Sequence, residues 1–186
     1  YQWQRDGEDV DGATGETYDL TEEDVGSVMT VIVSYVDDAG HDEELSAESS
    51  EIANVNDDPT GGVSITGTPE EGQILTAVST LDDIDGMGTL HYQWLRDGEA
   101  IPDAIDDEYE LDQADVGREI SVTVSYTDGH GTDESATSEA TDAITNTNDA
   151  PTGVLLILGT PEEGETLTAY TSALKDDDGV GDLAFQ

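Results

Sequence analysis

Carboxylates are the residues of this chain that carry chemistry, and they recur in the same short phrases. Asn56-Asp57-Asp58-Pro59 returns as Asn148-Asp149-Ala150-Pro151, and Asp83-Ile84-Asp85-Gly86 has a later counterpart in Asp176-Asp177-Asp178. Glu70 and Glu71 follow Pro69, while Asp24 and Asp115 each open an Asp-Val-Gly triplet. Side-chain oxygens of this kind, with Asn amides and loop carbonyls among them, suit a hard cation. Calcium takes six to eight oxygens at about 2.3–2.6 Å and fits that description. A single Asp-x-Asp-Gly is often only a turn. Recurrence at equivalent positions, beside acidic partners, favours the ion.

Other chemistry is poorly provided for. The chain has no Cys, so disulfides, thiolate metal sites and cysteine nucleophiles are excluded. No nucleophile–base pair, catalytic metal triad or phosphate-binding loop stands out, so the chain reads as a non-enzyme. His41, His91 and His130 show no metal-like spacing. His41 and His130 lie in loops rich in Asp and Gly, and residues 128–134 read equally as a further ion loop or as a solvated hairpin. The 46 acidic residues face only four Lys and Arg, a formal charge of -42. That balance repels nucleic-acid phosphates and anionic membrane surfaces. It leaves a surface built to stay hydrated in high salt, or one that collects divalent cations. No segment is apolar and long enough to span a membrane as a helix. The chain opens in mid-repeat at Tyr1-Gln2-Trp3 and is expected to be a piece of a longer protein.

The elements that must position these groups come from an internal repeat. Tyr1-Gln2-Trp3-Gln4-Arg5-Asp6-Gly7 returns as Tyr92-Gln93-Trp94-Leu95-Arg96-Asp97-Gly98, and Gly67-Thr68-Pro69-Glu70-Glu71-Gly72 as Gly159-Thr160-Pro161-Glu162-Glu163-Gly164. A period of about 92 residues is the size of one β-sandwich domain. Residues 1–55 are read as the later part of one module starting at its Trp strand, 56–148 as a complete module, and 149–186 as the early part of a third. Within a module, Ile120, Val122, Val124 and Tyr126 alternate with Ser121, Thr123 and Ser125, the period of a half-buried strand. Met29, Val31, Val33 and Tyr35 repeat that phase, and Leu90, Tyr92 and Trp94 turn a Trp inward. Gly, Asp, Asn and Pro punctuate these runs, so the expected class is all-β, a Greek-key sandwich in tandem. Asp112 to Asp115 allow one helical turn and nothing longer.

These phrases carry a family resemblance. The inward Trp, then Asp-Val-Gly leading into a Tyr-ended strand, resembles an immunoglobulin fold without its cysteines. YQW-x-RDG, DVG, VSY-x-D, NDAPTG and GTPEEG resemble the Ig-like repeats of large repeats-in-toxin (RTX) bacterial adhesins. The resemblance implies extender repeats of a secreted cell-surface protein, serving adhesion and biofilm formation, with neighbouring modules as partners. The loops are also similar to those of cadherins, which hold calcium between domains. That likeness implies ligands at Glu70, Glu71, Asp115, Asn148, Asp149, Asp176 and Asp178 at one linker. At the other it implies Asn56, Asp57, Asp83 and Asp85, with Asp24. The chain departs from the cadherin pattern where Asp-Val-Gly replaces Asp-Arg-Glu, so Asp24 and Asp115 read alternatively as braces against an Arg. The complementary ends are expected to pair head to tail between two copies. A second reading makes the chain a carbohydrate- or protein-binding sandwich, for which the outward Leu156 and Leu158 are the candidate patch.

Overall fold

The computed structural model describes residues 1–184, and the expected third Trp-type strand, at Phe185 and Gln186, lies outside them. Strands β1 (Gln2–Arg5), β2 (Glu8–Asp9), β3 (Val28–Val36) and β4 (Asp42–Glu51) are followed by β5 (Val63–Thr66), β6 (Ile74–Ser79) and β7 (His91–Arg96). Then come β8 (Glu99–Ala100), β9 (Glu108–Glu110), β10 (Ile120–Thr127), β11 (Asp133–Thr137), β12 (Leu156–Leu158) and β13 (Thr168–Tyr170). The chain is all-β. Only two single 3-10 turns, Glu22–Asp24 and Gln113–Asp115, interrupt the strands among the described residues, and no helix is long and apolar enough to cross a membrane.

Two compact units are present. One contains Gly62–Thr80, Leu90–Ser125 and the chain from Ser135 onward. Its body is a β-sandwich: the sheet β5-β6-β9 packs on β11-β10-β7-β8. The alternation in the sequence explains the contact. Leu75 and Ala77 of β6 meet Trp94 of β7 and Ile120 and Val122 of β10, with Ile101, Leu111 and Ile144 closing the cluster. Trp94 and Val122 are 0% exposed and sit opposite each other in register. Truncating a Trp buried in this way to Ala costs about 3–5 kcal/mol. The hairpin β12-β13 belongs to this unit and leaves Leu156, Ile157 and Leu158 exposed.

The other unit comprises Tyr1–Gly61, Leu81–Thr89 and Tyr126–Glu134. Its sheet, in the order β2-β1-β3-β4, repeats the order of β8-β7-β10-β11. Trp3 pairs with Val31 as Trp94 pairs with Val122. The two-residue turns Asp6-Gly7 and Asp97-Gly98 all take positive φ, the mirror-image turn that matches strand twist and that Asp-Gly tolerates. Packing differs where sequence does not. Val31 and Val33 are only partly buried, whereas Val122 and Val124 are 0% exposed. Among the described residues this unit has no counterpart of β5-β6-β9 to cover that face. The edge strand β4 is exposed along its length, and Asp42, Glu43, Glu44, Glu48 and Glu51 discourage another strand from adding to it.

Candidate metal centres

Each repeat copy builds the same backbone frame around its Asp-x-Asp. Asp83 folds back so that its Oδ1 accepts the Asp85 N–H at 2.9 Å, and Asp176 Oδ1 accepts the Asp178 N–H at 3.0 Å. The second carboxylate of each pair then catches the preceding linker. Asp85 Oδ2 accepts the Asp57 N–H at 2.7 Å, and Asp178 Oδ2 accepts the Asp149 N–H at 2.7 Å. Two Asx turns therefore tie two linkers to the loops that follow them by the same pair of bonds.

In the sandwich unit this frame gathers a carboxylate cluster. Glu71, Asp149 and Asp178 each bring an oxygen within 4.8 Å of the others. Glu71 comes from the turn between β5 and β6, Asp149 from the linker, and Asp178 from the following repeat. The linker strand is fixed beside that turn, because the Glu71 N–H donates to the Thr145 carbonyl at 2.9 Å and the Thr147 N–H donates to Glu71 Oε2 at 3.1 Å. Thr147 Oγ1 also donates to Glu70 Oε1 at 3.2 Å. Asn148 turns its amide onto the Asp149 carbonyl, and Asn146 Nδ2 donates to Asp178 Oδ1 at 2.7 Å. An open depression of about 400 Å³ borders the cluster and is lined also by Asp112 and Asp177. Carboxylates about 4 Å apart repel by about 4 kcal/mol per pair at an effective dielectric of 20. A cation among them reverses that sign.

The other unit holds a second cluster, of different make-up. Glu22, Asp85 and His130 bring their ligand atoms within 4.8 Å of one another. Glu22 starts the 3-10 turn, and His130 lies in the β10–β11 turn. That turn is clamped onto the Asp83–Gly86 loop, with the Gly129 N–H donating to the Asp85 carbonyl at 3.0 Å. A Cβ at Gly129 would lie 2.5 Å from the same oxygen, so only Gly permits the approach. Tyr126, buried, donates its hydroxyl to Asp83 Oδ2 at 2.5 Å. Burial pushes the Tyr126 phenol well above its ordinary range, and the Asp83 carboxylate pushes it further. Burial works to raise the Asp128 carboxyl, but N–H donors from Thr132, His130 and Gly131 outweigh it and hold it below the usual range. Asp85 is 4% exposed, and its Oδ1 is buried with no hydrogen-bond partner. Asn56 turns elsewhere, its amide donating to Glu134 Oε1 at 2.9 Å.

Asp24 and Asp115 are in neither cluster. Both are 0% exposed. Arg96 Nε donates to Asp115 Oδ1 at 2.7 Å, while the Tyr109 hydroxyl and the Asp112 N–H donate to Oδ2, each at 2.9 Å. Arg5, Tyr18 and Thr21 surround Asp24 in the same way. The Arg–Asp brace, which the sequence leaves as the alternative for these two residues, is thus present in both copies. Sequence reasoning did not select Glu22 or His130, which stand 108 residues apart. Glu22 aligns with Gln113 of the next copy, so the repeat itself hides it. The one available signal was His130 within its Asp- and Gly-rich turn. The chain matches no family model, no curated protein and no solved structure.

Proposed function

We propose that this chain is a run of structural spacer repeats, similar to the immunoglobulin- and cadherin-like extender modules of large bacterial surface adhesins, made rigid by calcium at its linkers. The reading divides the chain into the modules 1–55, 56–148 and 149–186 and places it outside the cell. The observation that carries it is the Glu71–Asp149–Asp178 cluster. One repeat, its linker and the next repeat each contribute a carboxylate there, so an ion bound to all three ties the linker to both neighbours. The matching frame at Asp57, Asp83 and Asp85 supports a device built into every linker rather than a single site. Without the ion, like charges push the segments apart; with it, the linker stiffens. Extracellular calcium modules bind at about 10⁻⁴–10⁻³ M, which suits a state held permanently in calcium-rich surroundings. The exposed hairpin β12-β13, with Leu156 and Leu158, and the uncovered face of β1 and β3 are the surfaces that head-to-tail association of two copies would cover.

Small-angle scattering with calcium and with EGTA tests the reading. Calcium is expected to lengthen and straighten the particle, and Asp178→Asn to abolish most of that change. Identical scattering curves in the two buffers would sink the proposal. Stiffening by sodium chloride alone would leave only a salt-adapted acidic surface.

A further inference from the structure

We propose that Glu22, Asp85 and His130 form a binding site for a transition-metal dication of the zinc class, distinct in chemistry from the all-carboxylate cluster. Donor type is the first argument. A neutral imidazole nitrogen is a borderline ligand that suits zinc, nickel or copper, whereas calcium and magnesium take oxygen. The His130 ring is the feature that the Glu71–Asp149–Asp178 cluster lacks.

Geometry is the second argument. His130 Nε2 and Glu22 Oε1 are 3.3 Å apart. A tetrahedral zinc with bonds of about 2.0–2.1 Å has ligand-to-ligand edges of about 3.3–3.4 Å. That spacing matches two ligands of one ion, and the same contact is a long hydrogen bond or ion pair when the ring carries the proton. Three protein ligands leave the fourth position of a zinc tetrahedron to water. The side chains of His130 and Glu22 are 36% and 26% exposed, which leaves the ion an entry path.

The third argument is the state of Asp85. A carboxylate oxygen that is buried and accepts no hydrogen bond is costly unless a cation compensates it. Asp85 Oδ1 is such an oxygen, in a side chain 4% exposed, within the trio itself. The equivalent atom of the other cluster, Asp178 Oδ1, is occupied by the Asn146 amide. The surrounding bonds leave Asp85 little room to turn away. Its Oδ2 is held by the Asp57 N–H, and its carbonyl by the Gly129 N–H. Those same bonds place His130 over it. An ion here would connect the first repeat, through Glu22, with two loops of the second.

The inference refines the linker reading by assigning a different ion to the first linker, and the two can fail separately. The test is calorimetric titration of the full chain with Zn²⁺ at physiological ionic strength, with calcium in large excess to saturate unspecific carboxylates. One zinc per chain is expected to bind under these conditions. His130→Ala and Glu22→Gln should each weaken it at least about tenfold, whereas His41→Ala and Asp178→Asn leave it unchanged. Equal melting of His130→Ala and the parent chain in EDTA establishes that the variant folds. Co²⁺ in place of zinc should give a visible d–d band that His130→Ala removes. Zinc binding that survives His130→Ala undiminished, or that excess calcium abolishes, overturns the proposal. The calcium response of Asp178→Asn is a separate readout and tests only the linker reading.

Discussion

The two clusters rest on one frame and end in different chemistry. Asp57 and Asp85 in one unit, and Asp149 and Asp178 in the other, share the same linker-to-carboxylate bond and the same Asx turn. The frame is then completed by whatever the neighbouring loops deliver. In the sandwich unit that is Glu71, an all-oxygen set beside an open depression. In the other it is Glu22 and His130, beside the Asp85 carboxylate, whose Oδ1 is buried and accepts no hydrogen bond. On the two proposals, a repeat keeps one frame while varying the ion, because the frame uses backbone N–H groups and the selectivity would use side chains. The supports differ as well. Asn146 holds Asp178, whereas Tyr126 holds Asp83 from below the surface.

The comparison can be broken most visibly by removing metal. At an ion concentration a hundredfold above Kd, each site adds about 2.7 kcal/mol. For domains of this size that corresponds to a fall in Tm on the order of 10 °C or more on chelation, read by calorimetry. Omitting calcium from a chelator-free buffer that holds zinc should affect the sandwich unit, and a zinc-selective chelator in excess calcium the other. A single transition lowered equally by both treatments would erase the distinction.

Tyr126→Phe probes the support under the first cluster. It leaves Asp83 Oδ2 buried without its donor and should cost about 1–3 kcal/mol in urea unfolding. Tyr35→Phe, at the equivalent but 52% exposed position, should stay within about 0.5 kcal/mol. Equal costs would mean that burial does not separate the two copies.

Asn146→Ala probes the support under the second cluster. The residue orients Asp178 without being counted among the cluster itself, and its loss should weaken calcium by about tenfold while leaving zinc unaffected. Titration with each ion separately measures the difference. The smallest effect is alkaline. Burial first, and then the Asp115 carboxylate, pushes the Tyr109 phenol up to about 12. A raised folded value means that the neutral form is favoured in the fold. Its contribution is complete below about pH 10 and is lost as pH rises toward 12. The urea midpoint of Tyr109→Phe should therefore fall less steeply than that of the parent chain across that window.

Much of the architecture is legible without coordinates. The alternation of Ile120, Val122 and Val124 shows as a strand with one face at 0% exposure, and Asp-Gly in both copies shows as the same tight turn. The repeat also marks Asp57 with Asp149 and Asp85 with Asp178 as equivalent before any bond is seen. Two matters were not legible. Asp24 and Asp115 carry the same local signal whether they bind an ion or an Arg, and only the approach of Arg5 and Arg96 decides which. Glu22 and His130 have no sequence relation at all, since 108 residues separate them.

The division has a physical cause. Period-two hydrophobicity and turn residues act over a few bonds, so the sequence alone determined the all-β class, the inward Trp, the hairpins and the recurrence of acidic linkers. Which carboxylates converge depends on loops brought together by sheet packing and by backbone bonds such as Gly129 to Asp85. Burial decided the rest. Asp85 has an open, desolvated oxygen and Asp178 a satisfied one, although both are the last Asp of the same motif.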